Sequence, residues 1–231
     1  MLPDYTVLNM SCPFVVMRFY LVYSGPLSAS GNKSKSDEVP VIRNQFHPQL
    51  RLLWETTSAL NRLRQTAIVP KKPPPFTEAP DSPFYVEQHR TPHGVRVGDW
   101  VDLCEPIKQH GKSYIPLVRT SLDLNCHLQI TFLRQEDPGA LVLHGGDLDN
   151  RIKTLFDALR IPDADASLKF PPKEDPTYCL LEDDSLISGF DVDTGRLLMP
   201  QTTKPNEVHL VIEVTVRVLM LGSWNVCLMG N

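Results

Sequence analysis

Asp147, Asp149, Asn150, Lys153 and Asp157 fall within one eleven-residue stretch, and Asp183 and Asp184 follow in a separate segment. Carboxylates are hard oxygen donors. Mg²⁺ binds through one or two of them and fills the rest of its octahedron with water and substrate phosphate oxygens. A lysine beside such a site supplies positive charge where negative charge develops as a phosphodiester is attacked. Acidic groups delivered from two separated segments therefore point to a divalent-metal site, and the chemistry it would carry is hydrolysis by metal-activated water.

The spacing sets what each residue is expected to do. Asp147 and Asp149 stand two apart in what reads as an extended lead-in, so both side chains point to one side with Cα atoms roughly 6.6 Å apart. Ile152, Leu155, Phe156 and Leu159 at i, i+3, i+4 and i+7 predict an amphipathic helix over 150–160, with Asp149 as its N-cap and Pro162 as its stop. Lys153 is one turn from Asp149 and one from Asp157, so the three share a face, and Asp157 is expected to hold the lysine. Asn150 is placed to orient a ligand carboxylate or the attacking water. An apolar run at 178–181 ends in Glu182-Asp183-Asp184. That makes Asp184 the expected third metal ligand, and Asp183, pointing the opposite way in an extended chain, the weaker metal candidate. Taken singly, these residues also describe a solvated helix face and a turn. Their joint order, flanked by apolar strands, favours a site.

Several elements are expected to position them. Residues 14–23 read as a strand ending at Ser24-Gly25-Pro26, and 47–65 as one amphipathic helix built on Leu50, Leu53, Trp54, Thr57, Leu60 and Leu63. The proline-rich stretch 70–92 reads as an extended connector. Leu128, Ile130 and Phe132 alternate with polar neighbours as a half-buried strand requires, and Asp137-Pro138-Gly139 predicts a turn into a returning strand at 140–143. A hairpin is expected from 186–192 to 196–199 around Asp193-Thr194-Gly195, and a long alternating strand over 208–218. The sum is an α+β fold, a mixed or antiparallel sheet with one or two helices packed on it.

Composition narrows the function classes. A chain of 231 residues with 42% apolar content can bury a full core. The apolar run at 14–23 is too short to span a bilayer and contains Arg18, so no membrane association is expected. Cys12, Cys104, Cys126, Cys179 and Cys227 form no C-x-x-C pair, which fits free thiols in a reducing, cytoplasmic setting and no structural zinc. Residues 1–134 carry 15 Lys and Arg against 11 Asp and Glu, whereas 135–231 carry 8 against 16. An acidic half argues against simple coating of a duplex, since phosphate contacts from Lys and Arg supply most non-specific affinity. A nucleic-acid enzyme of this charge needs bound cations and a basic substrate face.

The run Gly146-Asp147-Leu148-Asp149-Asn150-x-x-Lys153-x-x-x-Asp157-Ala158-Leu159, then Glu182-Asp183-Asp184-Ser185-Leu186-Ile187 and a closing alternating strand, resembles the RusA-type Holliday junction resolvases. The resemblance also takes in the first strand with its Ser24-Gly25-Pro26 end and the strand at 127–133. It leaves residues 28–120 as an insertion in a domain made of 1–27 and 121–231. What it implies is a homodimeric endonuclease that nicks branched DNA with Mg²⁺, or Mn²⁺ in its place. On the matching positions, Asp147, Asp149 and Asp184 would be the metal-binding catalytic residues and Lys153 the essential lysine. The alternative is the same fold serving as a binding or regulatory module without cleavage.

Overall fold

The computed structural model describes residues 14–28, 32–70, 96–97, 100–135, 146–163, 166, 172–198, 207–222 and 224–230. In chain order the elements are β1 (Phe14–Pro26), α1 (Asn32–Thr56), α2 (Ser58–Thr66), β2 (Ile68–Pro70), β3 (Arg96–Val97), β4 (Trp100–Asp102), β5 (Ile107–Gln109) and β6 (Lys112–Val118). They continue with β7 (Leu124–Arg134), α3 (Gly146–Leu159), β8 (Thr177–Leu181), β9 (Ile187–Arg196) and β10 (Glu207–Val218). The architecture is α+β.

The central sheet has the order β1-β10-β7-β9, with β7 and β9 parallel and the other two pairings antiparallel. Its strands show the alternation that one covered face demands. Leu124, Cys126, Leu128, Ile130 and Phe132 of β7 and the even-numbered residues from Val208 to Val218 of β10 are buried. On the opposite face Arg18 and Tyr20 both meet Glu213, at 3.1 and 2.9 Å. A second sheet, β5-β6-β8, pairs β6 with β8 in parallel, and a third joins β2, β4 and β3. The β5–β6 hairpin turns on His110 and Gly111, both at positive φ, the backbone that a two-residue loop of matching twist requires.

The expected single helix over 47–65 is two helices. Thr57, in extended backbone, separates α1 from α2, and α1 begins well upstream at Asn32. Ile42, Phe46, Leu50 and Trp54 recur every four residues on α1 and are each no more than 1% exposed. Burying four such side chains stabilises by roughly 6–12 kcal/mol, which outweighs the about 6 kcal/mol that two interior prolines, Pro40 and Pro48, cost a helix. Burial therefore carries α1 through both prolines. Of the described residues within 28–120, those of α1, α2 and β6 contribute to one hydrophobic core with β1, β7, β10 and α3. His47 fastens α1 to β8. Its Nδ1 accepts the Tyr178 backbone N–H at 2.9 Å, and its Nε2 faces Glu174 Oε2 at 3.1 Å.

The hairpin expected around Asp193-Thr194-Gly195 is absent. Residues 187–196 run as one strand, because the triplet continues the register with β7, placing Asp193, Thr194 and Gly195 opposite Thr131, Phe132 and Leu133. A Cβ on Gly195 would come within 2.8 Å of Leu133 Cδ2, so the glycine gives room to its neighbour instead of turning the chain. The connector at 71–92 and the turn and return strand at 137–143 lie outside the described residues.

Candidate functional site

Helix α3 begins at Gly146, so Asp149 is inside its first turn and is not its N-cap. Asp147 and Asp149 are thus two apart in a helix, where positions i and i+2 do not face each other, and the shared direction expected of an extended lead-in is lost. The Asp147 side chain lies outside the described residues. Asp149 and Lys153 are both exposed and pair at 2.7 Å between Oδ2 and Nζ. The lysine is therefore held by Asp149, while the Asp157 carboxylate expected to hold it is engaged by Arg160 at 3.3 Å. Asn150, exposed beside them, accepts the Thr154 hydroxyl on its backbone carbonyl.

Asp183 and Asp184 occupy the other end of this helix. β8 finishes at Leu181, which bridges Arg160 in parallel and accepts the Ile161 N–H, just past the last turn of α3. Asp183 then caps the short 3₁₀ turn Asp184–Leu186, with its Oδ1 accepting the Ser185 N–H at 2.9 Å. Hydrogen bonding from Ser185, through its side chain first and this N–H second, with the positive field of Arg160 as a lesser cause, holds the Asp183 carboxyl below its ordinary value. Asp184 is exposed in the same turn.

Two contacts orient α3 relative to the sheet. Near its start Arg151, almost fully buried, donates to the Leu27 carbonyl just beyond β1, at the sheet end where β7 stops. Near its finish Phe156 meets Phe190, early in β9, edge to face at 5.1 Å. The helix therefore runs antiparallel to the β7–β9 pair it crosses over. Leu159 is ten positions beyond Asp149, about 15 Å along the axis, several times the roughly 4 Å between paired metal ions. Within one chain Asp149 and Lys153 come together, and Asp183 and Asp184 come together, but the two pairs are at opposite ends of α3.

The ends differ in their electrostatics. At the finish, Arg160 is gripped by Asp163 at 2.7 Å and Asp157 at 3.3 Å, which raises its own proton affinity and keeps the Asp163 carboxyl below the ordinary range. Arg43, buried on α1, donates to the carbonyls of Asp157 and Arg160 at 2.6 and 3.3 Å, satisfying backbone acceptors that a helix end leaves open. Guanidinium groups already hold the place of a cation there. Asp157 precedes Arg160 by three residues at the helix end, a spacing that announces the first of these pairs, whereas Asp163 reaches Arg160 from beyond the helix. At the start, Arg134 and Arg196 are register partners at the ends of β7 and β9, with Arg134 buried and Arg196 exposed. The carboxyl ends of parallel strands and the amino end of a crossover helix are where α/β proteins seat phosphate groups.

For Mg²⁺, the exposed Asp149 carboxylate fits as a hard oxygen donor, and Lys153 pairs with one of its oxygens. Asp183 fits less well, with one oxygen taken by Ser185 and Arg160 beside it. Among the described residues no three His, Cys, Asp or Glu side chains converge as a metal-binding group, and no helix is long and apolar enough to cross a membrane. No family model, curated protein or solved structure matches this chain.

Proposed function

We propose that this chain is a Mg²⁺-dependent endonuclease of the RusA type, acting on branched DNA, with its chemistry centred on the first turns of α3. The observation that carries this reading is the exposed Asp149–Lys153 pair, 2.7 Å apart inside the Asp-Leu-Asp-Asn-x-x-Lys run and held at the strand ends that suit a phosphate. Asp149 would hold the ion, which would polarise the phosphate and activate water when bound. Lys153, one turn along the same helix face, would set its ammonium against the charge developing on the phosphate. Asn150 orients water or ligand, and Arg196 extends the positive surface toward the flanking backbone. A homodimer belongs to the same reading, since a four-way junction offers two equivalent strands to two copies related by a twofold axis.

The separation of Asp183 and Asp184 from Asp149 favours a second reading, in which the fold binds nucleic acid or protein without cutting. Asp149→Asn separates the two. In the nuclease reading the variant loses about 10³-fold in cleavage of a synthetic four-way junction with Mg²⁺ or Mn²⁺ while its mobility-shift affinity stays within a few-fold. A wild-type chain that binds the junction but leaves it intact in both metals assigns the fold to binding alone.

A further inference from the structure

Helix α2 carries Ala59, Leu63 and Thr66 at i, i+4 and i+7, one stripe along its length. Two cysteines from distant parts of the chain lie on that stripe. Cys227, in the 3₁₀ turn Val226–Gly230, has its Sγ 3.9 Å from the Ala59 carbonyl oxygen and 3.6 Å from Thr66 Oγ1. Cys104, in the turn after β4, has its Sγ 4.0 Å from the Leu63 carbonyl oxygen. Helix carbonyls project toward the next turn and side chains lean back toward the preceding one, so these three contacts set both sulfurs at neighbouring levels between Leu63 and Thr66. Each thiol also lies within the other's electrostatic reach. Both are only partly buried, unlike Cys126 and Cys179, which are shut into the cores of β7 and β8.

We propose that Cys104 and Cys227 are a dithiol pair that closes to a disulfide on meeting a low-molecular-weight disulfide such as oxidised glutathione, tying the C-terminal turn to the turn after β4 across α2. The Cys227 thiolate attacks one sulfur of the glutathione disulfide, forming a mixed disulfide and releasing one glutathione thiolate. The Cys104 thiolate then attacks the Cys227 sulfur, forms the protein S–S bond and releases the second glutathione. Two electrons pass from the protein thiols to the reagent, which leaves as two reduced molecules carrying the two protons. Burial pushes the Cys104 thiol up to about 12, with nearby Arg119 opposing part of that rise. The closing step accordingly quickens as pH rises.

The experiment uses the full chain, incubated with graded ratios of oxidised to reduced glutathione and mapped by non-reducing peptide mass spectrometry. The expected product is a peptide joining Cys104 to Cys227, lighter by two hydrogens than its reduced halves. In parallel the reduced chain should retain phenylarsine oxide, which bridges two close thiols, and Cys227→Ser should release it. Cys227 persisting as a glutathione adduct, or bridges formed only with Cys12, Cys126 or Cys179, overturns the proposal. The wild-type peptide map decides the matter even where the variant misfolds.

Discussion

At the scale of single residues, two acidic pairs with similar sequence appearance have different neighbours. Asp149 meets a lysine on an exposed helix face, whereas Asp183 bonds the Ser185 N–H beside a guanidinium already shared by Asp157 and Asp163. Chemistry confined to the start of α3 makes Asp184→Asn a mild change. Junction cleavage is expected to fall by less than about tenfold, whereas Asp149→Asn removes it. A loss as deep as that of Asp149→Asn, with the circular dichroism spectrum retained, would mean that both ends act on one phosphate. Acid stability tests the other end. The Asp163 carboxyl is depressed mainly by its hydrogen bond from Arg160, so it binds its proton less readily folded than unfolded. The stability this confers is present above the ordinary carboxylate value near pH 4 and is lost as pH falls through the lower folded value. Urea midpoints between pH 5 and 2 should therefore fall less steeply in Asp163→Asn than in wild type, and identical slopes would remove this ion pair from the acid response.

At the scale of elements, helix α3 follows from its apolar stripe, and its last turn depends on α1. Arg43 reaches from α1 to the Asp157 and Arg160 carbonyls from a position that is 7% exposed. Replacing Arg43 by Ala leaves those acceptors without their donor and is expected to cost about 2 kcal/mol in urea unfolding. A change below about 0.5 kcal/mol would show that water caps this end as well as the guanidinium does. The strands β7 and β10 were readable as alternating apolar and polar residues, because one covered face imposes a period of two. β9 was not, since Asp-Thr-Gly carries turn chemistry locally and only pairing with Thr131–Leu133 keeps it extended. The break at Thr57 was equally hidden. Apolar residues continue at helical spacing on both sides of it, and a stripe does not reveal that the helix carrying it changes direction.

For the molecule as a unit, helices α1 and α2, which lie between β1 and β7, are part of the core. Trp54, Phe46 and Leu50 are buried with Tyr23, Phe132 and Leu155 in one cluster. Trp54→Ala should destabilise the entire chain by about 3–5 kcal/mol and shift a single thermal transition downward. Two resolved transitions, the earlier one confined to α1 and α2, would indicate instead that this segment melts by itself. The charge asymmetry also acts at this scale. With 16 acidic against 8 basic residues after position 134, approach of a polynucleotide depends on where the basic residues gather. Arg134 and Arg196 at the strand ends lie on the Asp149 side of the molecule.

Periodicity and residue chemistry are local properties, so the α+β class, the faces of β7, β10 and α3, and the candidate residues are legible in the amino-acid order. The spacing also puts Asp149, Lys153 and Asp157 on one helix face, but it points to Asp157 as the partner of the lysine, whereas the pair that forms is with Asp149. Which end of α3 each acidic pair occupies is an outcome of the chain's long-range pairing. A crossover between the parallel strands β7 and β9 must run its helix back against them, and that reversal carries the start of α3 to one edge of the sheet and delivers Asp183 and Asp184 to the other. Such an outcome depends on pairing between segments far apart in the chain, which no local spacing records.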